Sequence, residues 1–209
     1  MIYPATYDIT ILQNATWKAT LRATQQRLSI DSITVSGGAA LFSAECHKLA
    51  ANDAIVFTVD TSTDPTVISL VPPIETVVPC GLDLNTVYYV ISSGLTADQF
   101  YVSTTVSGSA IAIDKAASGT FYAAKPVNLS GYTIDADITG ILDNQQVATF
   151  VCSGVDLPTG LIEMSMAPTV SSGIEPGRYN YDLSLTAPGG DRYYWLTGVA
   201  TVQRTYSRN

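Results

Sequence analysis

The chain has 209 residues, enough for one large or two small domains that each bury a core. Apolar residues make up 46% and charged residues only 13%, the reverse of a disordered composition. A net charge of −8 repels phosphates, so neither nucleic acid nor an anionic membrane surface is an expected partner.

The first residues, Met1-Ile-Tyr-Pro-Ala-Thr-Tyr-Asp8, lack the basic start and apolar run of a secretory signal. The most apolar long window, residues 66–78, is interrupted by Pro72, Pro73 and Glu75 and falls short of the ~20 apolar residues of a membrane span. The chain is therefore read as soluble. Strands are expected almost throughout. Residues 7–12 and 16–24 open the chain, and 30–35, 39–45, 54–59 and 67–70 follow. Residues 87–92 and 100–104 frame a hairpin connection at Gly94-Leu-Thr-Ala-Asp98, and 110–113 and 119–123 come next. Further strands are expected at 133–138, 146–152, 161–166, 179–185 and 193–203, with one helical turn over 167–173. In the segment 179–185, Tyr179, Tyr181, Leu183 and Leu185 share one face, with Asn180, Asp182 and Ser184 on the other. Strands recurring about every ten residues between Gly, Pro, Asn and Asp turns are the spacing of sandwiches and barrels.

Few residues are arranged for chemistry. Asp135 and Asp137 share a strand face with Asp143 close by, a pattern that could hold Ca²⁺ or act on a glycosidic bond, but it is also that of any solvent-facing strand. His47 is the single histidine, Gly-x-Ser-x-Gly does not occur, and a hydrogen bond from His47 to backbone is the simplest reading. Cys46, Cys80 and Cys152 form an odd, widely spaced set without a CxxC pair, and are read as free thiols in the core. The Asn-x-Ser/Thr sites at Asn14 and Asn128 carry no meaning without a secretory signal. No catalytic, cofactor-binding or metal-ligating residue is assigned. Twelve tyrosines against five phenylalanines make aromatic contacts the stronger signal. One residue of each adjacent aromatic pair should face out, where Tyr and Trp anchor interfaces. Tyr88, Tyr101, Tyr193 and Trp195 are the interface candidates.

The C-terminal motif Gly177-Arg-Tyr-Asn-Tyr-Asp-Leu-Ser-Leu185, the turn at Gly189-Gly190 and the closing Leu196-Thr-Gly-Val-Ala-Thr-Val202 resemble the N-terminal Ig-like domain of the baseplate upper protein family of tailed phages. Val127-Asn-Leu-Ser-Gly-Tyr132 and the Thr- and Trp-bearing segment 16–24 fit the same pattern. The intervening residues, from Cys46-His-Lys-Leu49 through Val87-Tyr-Tyr-Val90 to Ala110-Ile-Ala-Ile113, resemble a small β-module of phage tail-fibre and other virion proteins. The resemblance implies an all-β protein in which an Ig-like β-sandwich, residues 1–25 plus 124–209, is split by an inserted β-module, residues 26–123. It implies a non-enzymatic structural part of a tailed bacteriophage particle, in the tail, baseplate, neck or fibre-attachment region. Such a part is made in the host cytoplasm and docks on other virion proteins as a homo-oligomer or symmetric multi-copy assembly. The alternative is an adhesin module that binds host-surface glycan or protein.

Overall fold

The computed structural model describes residues 5–59, 78–84 and 86–205. In chain order its strands are β1 (Ala5–Thr6), β2 (Ile9–Leu12), β3 (Trp17–Arg22), β4 (Leu28–Ile30), β5 (Ser32–Ser36) and β6 (Ala39–Ser43). Next come β7 (Ala54–Val59), β8 (Val87–Val90), β9 (Gln99–Phe100), β10 (Val102–Ser103) and β11 (Phe121–Ala124). The last are β12 (Thr133–Thr139), β13 (Gln146–Thr149), β14 (Val151–Asp156), β15 (Leu161–Met166), β16 (Gly177–Thr186) and β17 (Arg192–Gln203). Among the described residues the helical pieces are a 3₁₀ turn at Leu157–Thr159 and a single turn, α1 (Pro168–Ser171), inside the window expected for one. The protein is all-β. The expected strand at 67–70 lies outside the described residues.

The chain divides into two compact units, Met1–Arg22 with Asn128–Asn209, and Ala23–Val127. The expected boundaries at 25/26 and 123/124 differ by a few residues, because the two connecting segments pair with one another inside the middle unit. Thr24 bridges Pro126, the Gln25 N–H donates to the Lys125 carbonyl (2.8 Å), and the Val127 N–H donates to the Ala23 carbonyl (2.9 Å).

The split unit is a two-layer β-sandwich. One sheet has the order β1–β17–β16–β12–β13, with β2 also alongside β17; the other has the order β14–β15–β3. Both β1 and β2 run parallel to β17, whereas β17, β16, β12 and β13 are mutually antiparallel. The alternation read in 179–185 sets the layers: Tyr181, Leu183 and Leu185 point inward with Ala136, Ile138, Leu196 and Ala200. Ile162, Met164 and Met166 are the buried positions of β15. Phe150 links the layers, its ring 5.2 Å from Trp17 and 6.2 Å from Tyr181. The chain enters β16 through a corner in which the Tyr179 hydroxyl donates to the carbonyl of Glu175, four residues back, at 2.8 Å. Between β1 and β2 the chain kinks at Tyr7 and Asp8. There the Asp8 carboxylate accepts the Val199 N–H, the Tyr7 N–H donates to the Thr197 carbonyl, and the Tyr181 hydroxyl donates to the Tyr7 carbonyl.

The middle unit has a sheet of order β10–β8–β7–β11–β4 and a smaller one of order β5–β6–β9. β7 is the central strand, buried from Ile55 to Val59, as its run of β-branched and aromatic residues requires. Its Phe57 stacks on Phe42 of β6 (4.5 Å, 17°), and Phe42 stacks on Phe100 of β9 (5.4 Å, 14°). Ile30, Ile33, Val90, Val102 and Phe121 complete this core.

Three expected strands prove to be corners at which the chain passes from one sheet to another. Residues 30–35 divide at Asp31, whose N–H donates to the Ser43 carbonyl and whose carboxylate accepts the Glu45 N–H. Residues 100–104 divide at Tyr101, whose carbonyl accepts the Ile91 N–H. Residues 146–152 divide at Phe150, whose N–H donates to the Ala136 carbonyl. The expected strand at 110–113 is not one: Ala112 makes an isolated bridge to Ala39, and Ile111 bonds to both Ala40 and Val102.

Candidate docking surfaces

The four aromatic candidates belong to different units, and one of them is no interface residue. Tyr88 is only 1% exposed. Alternation along β8 turns it inward, where its ring lies 5.7 Å from Phe57 and its hydroxyl accepts the Asp83 N–H at 2.8 Å. Burial, its largest influence, raises its pKa. Tyr89, the next residue, is the half-exposed one. Tyr101 is half-buried with its ring laid on Gly94, where a φ of +72° and the absence of a Cβ make room for it.

Tyr193 and Trp195 lie together at the start of β17. The expectation that alternate residues there would be buried fails because the register shifts between Leu183 and Ser184. Such a bulge re-aims side chains. Tyr193, Tyr194 and Trp195 therefore all retain exposure, with Tyr194 the most open at 50%. Arg192 folds back so that its Nε and Nη2 donate to the buried Ser184 Oγ (3.0 and 2.8 Å), and its guanidinium sits 5.5 Å from the Tyr194 ring centre. The patch combines aromatic area with one anchored cation.

A second surface, not singled out from the sequence, runs along β13 and β14. These strands end their respective sheets, and among the described residues nothing pairs with the outer side of either. Five large apolar side chains stand exposed here: Ile141, Leu142, Val147, Val151 and Val155. Leu142 is 98% exposed at the tip of the β12–β13 hairpin. Its one legible signal is an Ile-Leu pair set between Gly140 and Asp143-Asn144, where a turn would ordinarily be polar.

Carboxylates flank this edge. Asp137 accepts from the Gln146 amide (2.8 Å) and the Thr149 hydroxyl (2.9 Å), both on β13, and stands opposite Asp182 in register. Burial and then Asp137 raise the Asp182 carboxyl, while Arg192 opposes them. Asp135 is exposed on the same face, and Asp143 turns back to accept the Gln145 N–H. Among the described residues no group of three or more His, Cys, Asp or Glu is arranged to hold a metal ion.

The cysteines correct one expectation. Cys152 is half-buried, but Cys46 and Cys80 are exposed, because both sit in turns rather than on strands. Their N–H groups donate to Asp98 and Asp114. Burial first, then Asp135 and Asp137, push the Cys152 thiol up to about 11. At pH ~8 it stays almost wholly protonated, and the thiolate is the nucleophile. Iodoacetamide mapped by peptide mass spectrometry is expected to modify Cys46 and Cys80 and leave Cys152 largely untouched. Equal labelling of all three would contradict the burial of Cys152.

His47 is buried, and its Nδ1 accepts the Leu49 N–H at 3.0 Å, a bond to backbone. Its ring meets Phe100 edge-on at 5.1 Å. A cavity of about 200 Å³ borders it, with Lys48 and Lys125 on the wall, and Lys125 forms an ion pair with Asp53.

Comparison with known protein families gives no match, and no curated protein matches the chain either.

Proposed function

We propose that this chain is a structural component of a tailed bacteriophage particle, docking onto neighbouring virion proteins through its split sandwich. The observation that carries the docking role is the open β13–β14 edge with its five exposed apolar side chains. Exposed apolar side chains along strand edges that, among the described residues, nothing pairs with are costly for a protein that works alone, and they suit one that is covered in an assembly. Repetition of such contacts by particle symmetry would let individually weak interfaces hold together.

The phage setting rests on the resemblance of the segments 16–24, 127–132 and 177–202 to the Ig-like domain of baseplate upper proteins. An Ig-like reading of the split unit is supported by its strand order. β3, β12, β13, β14, β15, β16 and β17 take the places of strands B, C, C′, D, E, F and G, with the N-terminal strand parallel to the last. The Tyr179–Glu175 bond supports it further, since it has the form of the tyrosine corner at the E–F turn. On this reading the middle unit is an insertion between strands B and C.

Mass spectrometry of purified phage particles encoding this chain tests the proposal. The polypeptide should be present at a multi-copy, symmetry-related stoichiometry. Its absence from intact particles would reject the role.

A further inference from the structure

We propose that the β13–β14 edge receives an extended segment of a partner protein in which apolar side chains alternate with Lys or Arg. This rests on the docking role above and assigns the chemistry of what docks. The backbone supplies the mode of binding. β13 and β14 form one continuous stretch, 146–156, that ends one sheet, turns at Phe150 and ends the other. An incoming strand can add to such an edge by main-chain hydrogen bonds, with side chains giving the specificity.

The side chains supply the pattern. Val151 and Val155 are 66% and 57% exposed, and Val147 and Leu142 extend the apolar surface toward the β12–β13 hairpin. The register shift between Gly154 and Asp156 leaves residues 151–154 as the regular part of the β14 edge. Asp156 ends β14, Asp143 lies in the β12–β13 hairpin, Asp135 and Asp137 lie on the adjoining β12, and Asp182 faces Asp137 one strand further in. Among the cations, Arg22 feels the charge of Asp156, Arg192 acts on Asp182, and Lys18 on β3 is paired with Glu163 at 2.9 Å. With Glu163 neutralised by Lys18, the five aspartates outnumber the two guanidinium groups, which leaves the rim acidic. The influence of Asp135 and Asp137 on Cys152 places their field at β14 itself.

Charge also decides against a second copy as the occupant. Pairing this edge with itself would bring two acidic rims together, and like charges on adjoining strands are destabilising. A segment with Lys or Arg at alternate positions meets the rim with opposite charge while its apolar residues cover the valines.

The test uses the full chain, isotope-labelled for amide NMR, and two short peptides of alternating sequence, one of valine and lysine and one of valine and glutamate. The lysine peptide is expected to shift amides in 146–156, and its affinity should fall about tenfold or more between about 50 and 500 mM salt as the charges are screened. The glutamate peptide should leave those amides unmoved. The double variant Val151→Lys with Val155→Lys should lose the lysine peptide while keeping the wild-type melting temperature. Either of two results overturns the inference: equal response to both peptides, or no response at 146–156 with the lysine peptide at millimolar concentration. A dimer through this edge in sedimentation would overturn it too, in favour of a second copy. Should the peptides fail while the chain is found in particles, only the assignment of the partner falls.

Discussion

Gly198→Ala is expected to destabilise the split unit by about 3 kcal/mol, near the upper end of what overpacking usually costs. Gly198 lies on β17 directly beneath the kink between β1 and β2. A Cβ there would land on the Tyr7 carbonyl oxygen, 2.8 Å from its carbon and 3.0 Å from the Tyr181 ring. The obstacle is backbone held by three hydrogen bonds, from the Tyr7 N–H, from the Tyr181 hydroxyl, and from the Val199 N–H to the neighbouring Asp8, so it cannot swing aside as a flexible side chain would. The least costly relief is to lift β1 and β2 away from β17. Denaturant unfolding should show the loss, and hydrogen exchange should show faster amides in Ile9–Leu12. Wild-type stability with unchanged protection there would mean that the close approach is not as described.

Phe42→Ala is expected to cost the middle unit about 4 kcal/mol, the usual range for removing a wholly buried ring. Phe42 is the middle member of a three-ring stack, so its loss removes two ring–ring contacts as well as apolar area. It also sits opposite Phe100 in the pairing of β6 with β9, which ties the smaller sheet to its third strand. Phe42→Leu keeps much of the volume and should cost roughly half as much. Hydrogen exchange is expected to quicken first in β6, β7 and β9. Should the alanine variant melt within about a degree of the wild type, the stack would not be the centre of this core.

How far the sequence discloses this fold depends on whether local pattern or distant partner decides. β15 coincides with the alternating stretch 161–166, and the core face of β16 follows from its alternating Tyr and Leu, because period-two patterning is local. The sheet-changing corners at Asp31, Tyr101 and Phe150 were not legible. Alternation runs through a corner undisturbed, and only the identity of the pairing strand reveals the change. Tyr88 and Tyr89 are equivalent in sequence, and the turn that lets Asp83 meet a hydroxyl decides which goes in. The bulge at Trp195 shows only in the pairing of β17 with β16, so no reading of either strand alone could place it. Val151 and Val155 look like core residues by type. They are exposed on a strand whose outer side, among the described residues, nothing pairs with, a fact of topology rather than of composition.

The pairing of β2 with β17 has a consequence for biosynthesis. Asp8 waits for Val199, and Gln13 for Thr205, at separations of 191 and 192 residues. On the ribosome the opening strands therefore emerge long before their mates are translated, while the middle unit can collapse in the interim on nearer contacts. Such distant closure slows folding and prolongs the lifetime of sticky, half-made chains. A nascent polypeptide that stalls before β17 would leave β1 and β2 without the strand they pair with, making loss of β17 as damaging as loss of those two strands.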